Sequence, residues 1–138
     1  MSEPVIQTRG LTRRFGDLVA VDGLDLTVER GQIFGFLGRN GAGKTSTIKM
    51  LLGLLHPSAG QMHVLGQEPS VGNVELKQRI GYVSESPQLY PWMRVREAID
   101  FTRAFYPTWN NEHVAQLLDQ FGLDPEQRVK NLSRGMGA

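Results

Sequence analysis

The sequence predicts an α/β fold with a mixed sheet, an antiparallel β part towards its N-terminal end and a helical part towards its C-terminal end. Three observations carry that expectation. First, the apolar run at residues 33–37 leads into Gly38-Arg39-Asn40-Gly41-Ala42-Gly43-Lys44-Thr45, and residues 44–55 follow with Ile48, Leu51, Leu52 and Leu55 at helical spacing. The eight-residue stretch meets the pattern G-x-x-x-x-G-K-S/T at every fixed position, in the strand, loop, helix setting it requires. Second, Leu24, Leu26 and Val28 alternate with polar neighbours, the period of a half-buried strand. Third, strands and helices alternate after the loop, and from Val95 onward only helical periodicity remains.

Taken in order, residues 4–9 read as a short edge strand and residues 11–16 as a connection ending in a turn. Leu18-Val19-Ala20-Val21-Asp22 is an apolar run ending in an acid, as the magnesium-orienting strand of an NTPase does. It precedes the loop and runs into Gly23, so Asp22 is read as a turn residue. Arg30-Gly31 turns the strand at 24–28 into the apolar strand at 33–37. Past the helix, residues 56–60 break the chain, 61–65 read as a strand closed by Gly66-Gln67, 71–79 as a short helix and 80–83 as a strand. This alternation argues for a mostly parallel sheet after the loop. Val95, Ala98, Ile99, Thr102 and Phe105 share a helical face that stops before Pro107. Val114, Leu117, Leu118 and Phe121 share another that stops at Gly122, a residue suited to the left-handed position after a helix. Asp124-Pro125 opens one more short turn, with the acid as cap and proline first.

The loop's residue types fit a triphosphate. Such an anion needs several N–H donors close by, so the chain must curl with its amides inward, and Gly38, Gly41 and Gly43 allow the curl and the close approach. The free N–H groups and dipole of the following helix favour negative charge. Lys44 supplies a mobile point charge for the β- and γ-phosphates, and the Thr45 hydroxyl is placed to ligate magnesium.

The 138 residues suffice for one domain with a single core. Fifteen Lys and Arg against fourteen Asp and Glu leave no basic footprint, so no nucleic-acid partner is expected. Without cysteine there is neither a disulfide nor a thiolate metal site, and His56, His63 and His113 lack ligand spacing. No run of 18 apolar residues exists, and the first residues do not read as a secretion signal.

From about residue 4 to the last residue, the order of these features resembles the ATP-binding subunits of ABC transporters. The phosphate loop at 38–46 is similar to the family's, with Arg39 where proline is common and Thr45-Ser46 in reversed order. Leu132-Ser133-Arg134-Gly135-Met136 resembles the family's L-S-x-G-Q motif, with Met136 in place of glutamine. The resemblance implies a P-loop NTPase of ABC type that binds ATP and Mg2+ through Gly38, Asn40, Gly41, Ala42, Gly43, Lys44, Thr45 and Ser46. It also implies a head-to-tail dimer with a second ATP-binding subunit, in which Ser133 and Gly135 face the γ-phosphate held by the opposite subunit. Phe15, before Gly16, stands where the family stacks an aromatic on adenine, and a flat ring suits a flat base; the alternative is a core residue. Glu85 occupies the position of the family's magnesium-ligating glutamine, so Thr45 and Glu85 are the implied metal ligands; a carboxylate can still bind a hard cation. Pro87-Gln88-Leu89-Tyr90-Pro91-Trp92-Met93 lies near the family's docking groove for a transmembrane subunit, or else covers its own helices.

The implied organisation is an incomplete ATP-binding domain: a β-rich nucleotide-binding core at 1–91, a helical subdomain at 92–132, and the second motif at 132–138. In the family the second acidic strand, the catalytic glutamate and a γ-phosphate-sensing histidine follow that motif. With these and the last core strands absent from 1–138, the catalytic residues are expected beyond 138 and the chain alone is expected to be inactive. The implied location is peripheral, on the cytoplasmic face of a membrane. Competing readings are a nucleotide-binding module without catalysis, an ABC ATPase not tied to transport, and a P-loop kinase, the last disfavoured by Leu132-Ser133-Arg134-Gly135.

Overall fold

The computed structural model describes residues 3–39, 41, 43–133 and 135–137. The chain divides into two compact units, Met1–Arg79 and Ile80–Ala138.

In the first unit, β1 (Ile6–Phe15) turns back into β2 (Leu18–Val28), and β3 (Ala59–Val64) pairs with the other side of β1. The order is β2-β1-β3 and both pairings are antiparallel. Two residues make the hairpin turn. Gly16 takes its first position at φ 58°, the left-handed region such turns require.

β1 is thus the central strand, where an edge strand at 4–9 is expected from the sequence, and the expected connection at 11–16 is largely its second half. Register shifts between Thr8 and Leu11, Leu11 and Arg13, and Arg13 and Arg14 break its apolar alternation, because a bulge moves the following side chains to the other face. Asp22 likewise lies within β2 instead of ending it. There the Gly23 N–H donates to the Thr12 hydroxyl at 3.0 Å, which lets the pairing continue across the bulge.

Helix α1 (Lys44–Leu51) lays Met50 into a core with Leu11, Val21 and Met62, which Leu24, Leu51 and Leu55 close around. The helix ends four residues earlier than the apolar spacing predicts, because Gly53 turns the chain at φ 67°. Its buried side chains are Thr47 and Met50, while Ile48 is partly exposed. One helical turn, α2 (Val74–Lys77), replaces the longer helix expected at 71–79. Asn73 Oδ1 accepts the Leu76 N–H at 3.0 Å and starts that turn, and Leu76 is buried.

Residues 33–37 and 80–83, expected as strands, pair with nothing among the described residues, and the parallel part of the expected sheet is not formed there. An apolar run shows what a segment can bury. A strand also needs a neighbour to take its N–H and C=O groups. Ile33 and Leu37 accordingly stand almost fully exposed.

The second unit holds α3 (Val95–Arg103) and α4 (Asn111–Gln120), followed by a 3-10 turn at Val129–Asn131. The α3 N-terminus is held by backbone: Val95 and Arg96 N–H donate to the Gln127 and Pro125 carbonyls, each at 3.0 Å. Glu126 ties the same end through ion pairs with Arg94 and Arg96. Asn110 caps α4 by accepting the His113 N–H. At its far end Gly122, at φ 62°, allows the Leu123 N–H to reach the Leu118 carbonyl at 2.8 Å, the expected helix stop. The apolar faces of both helices line an open groove of about 700 Å³.

Candidate functional site

The loop begins at Gly38 and closes on β2 at Gly43. Gly43 takes φ 81° at the N-cap of α1, and a Cβ placed there would lie 2.1 Å from the Ala20 carbonyl oxygen. Only glycine satisfies both the dihedral and the contact. The Gly43 carbonyl accepts the Thr47 N–H at 2.9 Å and the Thr47 hydroxyl at 3.0 Å. Thr47, almost wholly buried, therefore locks the end of the loop to the first turn of α1. Reading the motif alone misses this residue. A hydroxyl four residues after the second fixed glycine was the available signal, since such a side chain can bond back one turn.

No side chain caps α1 and its first turn carries no acidic residue. Its positive end is therefore not countered by the chain's own charge. Lys44 Nζ folds back on the Gly38 carbonyl, with the Arg39 carbonyl at 3.5 Å. Thr45 is exposed and Ser46 half-buried. Asn40 and Ala42, also expected to bind phosphate, lie outside the described residues.

Phe15 ends β1 and is 45% exposed. It pairs with Leu18 across the hairpin, and Ala20, against which Gly43 packs, lies two residues further along β2. At the rise of a strand that separation is about 7 Å. One hairpin thus presents an exposed aromatic ring and backs the phosphate loop.

The remaining candidates belong to the second unit. Glu85 is exposed in an irregular segment, and no cluster of three or more His, Cys, Asp or Glu suited to a metal occurs among the described residues. The Ser133 hydroxyl accepts the Met136 N–H at 3.2 Å and its carbonyl accepts the Gly137 N–H at 3.0 Å, so Ser133 closes a single turn on itself. Gly135 contrasts with Gly43: an added Cβ would meet nothing within 4 Å, and its φ is not left-handed. Packing among the described residues does not demand glycine there. Upstream, Tyr90 and Trp92 stack at 5.6 Å between centroids and are both exposed.

Comparison with known proteins gives a consistent result. Residues 21–138 match the family model described as ABC transporter. A bacitracin transport ATP-binding protein of Bacillus licheniformis is 37% identical over 134 residues, covering 96% of this chain and 44% of that protein. A Nod factor export ATP-binding protein of Burkholderia lata is 40% identical over 136 residues, covering 95% of this chain and 45% of that protein. The chain thus spans less than half the length of these relatives. A solved ATP-binding subunit of an ABC transporter superposes with a TM-score of 0.85 at 25% identity, over 96% of this chain and 57% of that one. The cbiO1 protein of Clostridium perfringens, part of the transporter complex cbiONQ, shares the fold with a TM-score of 0.75 at 22% identity, over 97% of this chain and 57% of that one.

Proposed function

The chain belongs to the ABC transporter family, and from that membership we propose that it forms part of an ATP-binding subunit that couples ATP binding and hydrolysis to transport. The observation that carries the reading is the loop seated by Gly43 on β2 at the uncapped start of α1. These residues fit a polyphosphate. The helix end offers donors, no carboxylate in its first turn repels an anion, and Lys44, now resting on loop carbonyls, can exchange those weak acceptors for phosphate oxygens.

Within this proposal Gly38, Asn40, Gly41, Ala42, Gly43 and Ser46 line the phosphates, Lys44 offsets their charge, and Phe15 stacks on the base. Thr45 and Glu85 hold Mg2+, which when bound neutralises part of the phosphate charge. Ser133 and Gly135 serve the nucleotide of a second ATP-binding subunit in a head-to-tail dimer. The exposed Tyr90 and Trp92 pair faces a transmembrane subunit, which keeps the protein peripheral on the cytoplasmic face. The division into a core at 1–91, a helical subdomain at 92–132 and the second motif at 132–138 follows the same reading. For residues 1–138 alone we propose binding without turnover, since no acidic residue follows Ser133 in this sequence to orient an attacking water.

Calorimetry with Mg-ATP tests the core of the proposal. Lys44→Ala removes a charge-assisted contact typically worth about 1.5–3 kcal/mol, so affinity is expected to fall at least about tenfold. An unchanged dissociation constant would mean that the nucleotide sits elsewhere.

A further inference from the structure

We propose that Arg13 is a positioning residue for Phe15, bracing the ring from behind so that its opposite face stays open to the base. The inference rests on the nucleotide reading above. The Arg13 guanidinium carbon lies 4.5 Å from the Phe15 ring centroid, close enough for cation–π attraction. Its Nη1 donates to the His56 carbonyl at 2.7 Å. Its Nε is buried without an acceptor among the described residues.

That last feature is informative. A surface arginine free to move turns such a donor to water, since burying it unpaired is costly. Here the ring and the carbonyl together hold the side chain in the stacked pose. The carbonyl is itself anchored, because the same segment docks on β1: the Ser58 N–H donates to the Thr12 carbonyl at 2.8 Å, and the Ser58 hydroxyl accepts the Arg14 N–H at 3.0 Å. The connection between α1 and β3 therefore fixes Arg13, and Arg13 fixes Phe15. The guanidinium covers one face of the ring, yet Phe15 remains 45% exposed. A ring at the end of a hairpin would otherwise sample several rotamers, and a base stacking on it would have to order it first.

Arg13→Met keeps the apolar stem and removes the guanidinium. Calorimetry on the full chain is expected to show ATP binding weakened about three- to tenfold, the range of a partly desolvated cation–π contact. Inorganic tripolyphosphate, which has no base, should bind as before. Arg13→Lys should recover part of the loss, and in a Phe15→Ala background Arg13→Met should cost nothing further. Equal weakening of ATP and tripolyphosphate would make Arg13 a folding or bulk-charge residue and overturn the proposal. So would a lysine variant no better than methionine, or an undiminished effect without the ring. If Phe15→Ala weakens ATP while Arg13→Met does not, the positioning role alone falls. If Phe15→Ala leaves ATP binding unchanged, base stacking falls and the positioning role with it.

Discussion

Replacing Gly43 by alanine separates a glycine the fold needs from one it merely accommodates. The added methyl would lie 2.1 Å from the Ala20 oxygen, 3.0 Å from Val21 Cγ2 and 3.1 Å from the Ala20 carbonyl carbon. Two of these atoms are backbone within β2, so a rotamer change cannot relieve the overlap. Holding a non-glycine residue at φ 81° costs about 1–2 kcal/mol, and forcing β2 or the loop aside adds about 1–3 kcal/mol, as overpacking does. Together these amount to about 3 kcal/mol, a fall in melting temperature of roughly 10–20 °C for a unit of this size. Gly41→Ala is the control. Its φ of 85° carries the same backbone strain, but its Cβ meets nothing within 4 Å. Thermal unfolding followed by circular dichroism should therefore rank wild type above Gly41→Ala and Gly41→Ala above Gly43→Ala. Calorimetry should show ATP affinity at least tenfold weaker in the last, as the donors of the loop are displaced. Equal stability of the two variants, or wild-type ATP affinity in Gly43→Ala, would refute the view that β2 seats the loop.

Thr47→Val keeps the buried shape and removes the hydroxyl bonded to the Gly43 carbonyl at 3.0 Å. It should cost about 1 kcal/mol in urea unfolding and weaken ATP binding a few-fold. Gly135→Ala should leave the melting curve within about 0.5 kcal/mol of wild type, while lowering ATP-dependent dimerisation of the full-length protein in light scattering; unaltered dimerisation would count against an approaching nucleotide. Trp92→Ala should change stability little, since Trp92 is exposed. In the full-length protein it should weaken assembly with the transmembrane subunit, measured by co-purification. Persistent assembly with a lowered melting temperature would make the Tyr90 and Trp92 pair internal packing. Residues 1–138 alone should release no phosphate from ATP above background, and steady release abolished by Lys44→Ala would place a catalytic residue within them.

Local chemistry made several elements legible from sequence. Gly122 ends α4 where a left-handed residue is needed, and alternation at Leu24, Leu26 and Val28 marks the inner face of β2. Pairing was less legible. The bulges of β1 hide its alternation, and the apolar character of residues 33–37 says nothing about which edge, if any, receives their hydrogen bonds. Arg13 gave no signal either. One basic residue in Arg13-Arg14 reads like the other until the fold brings the His56 carbonyl beside it, 43 residues away.

The two glycine motifs show the limit most clearly. In the sequence, Gly43 and Gly135 are equivalent entries in short patterns, and each could be explained by a turn. The structure separates them by their reasons for being glycine. Gly43 is held by the chain itself, through a left-handed dihedral and a backbone oxygen that leaves no room for Cβ. Gly135 has no left-handed dihedral and open space around it, so among the described residues neither strain nor packing selects it. Beside it the Met136 and Gly137 N–H groups are already taken by the Ser133 hydroxyl and carbonyl, so what glycine offers at this position, under the function proposed above, is room for an approaching group. In the proposed head-to-tail dimer that group is the nucleotide of the second subunit, and a methyl at position 135 is expected to obstruct its approach while leaving the isolated chain unaffected.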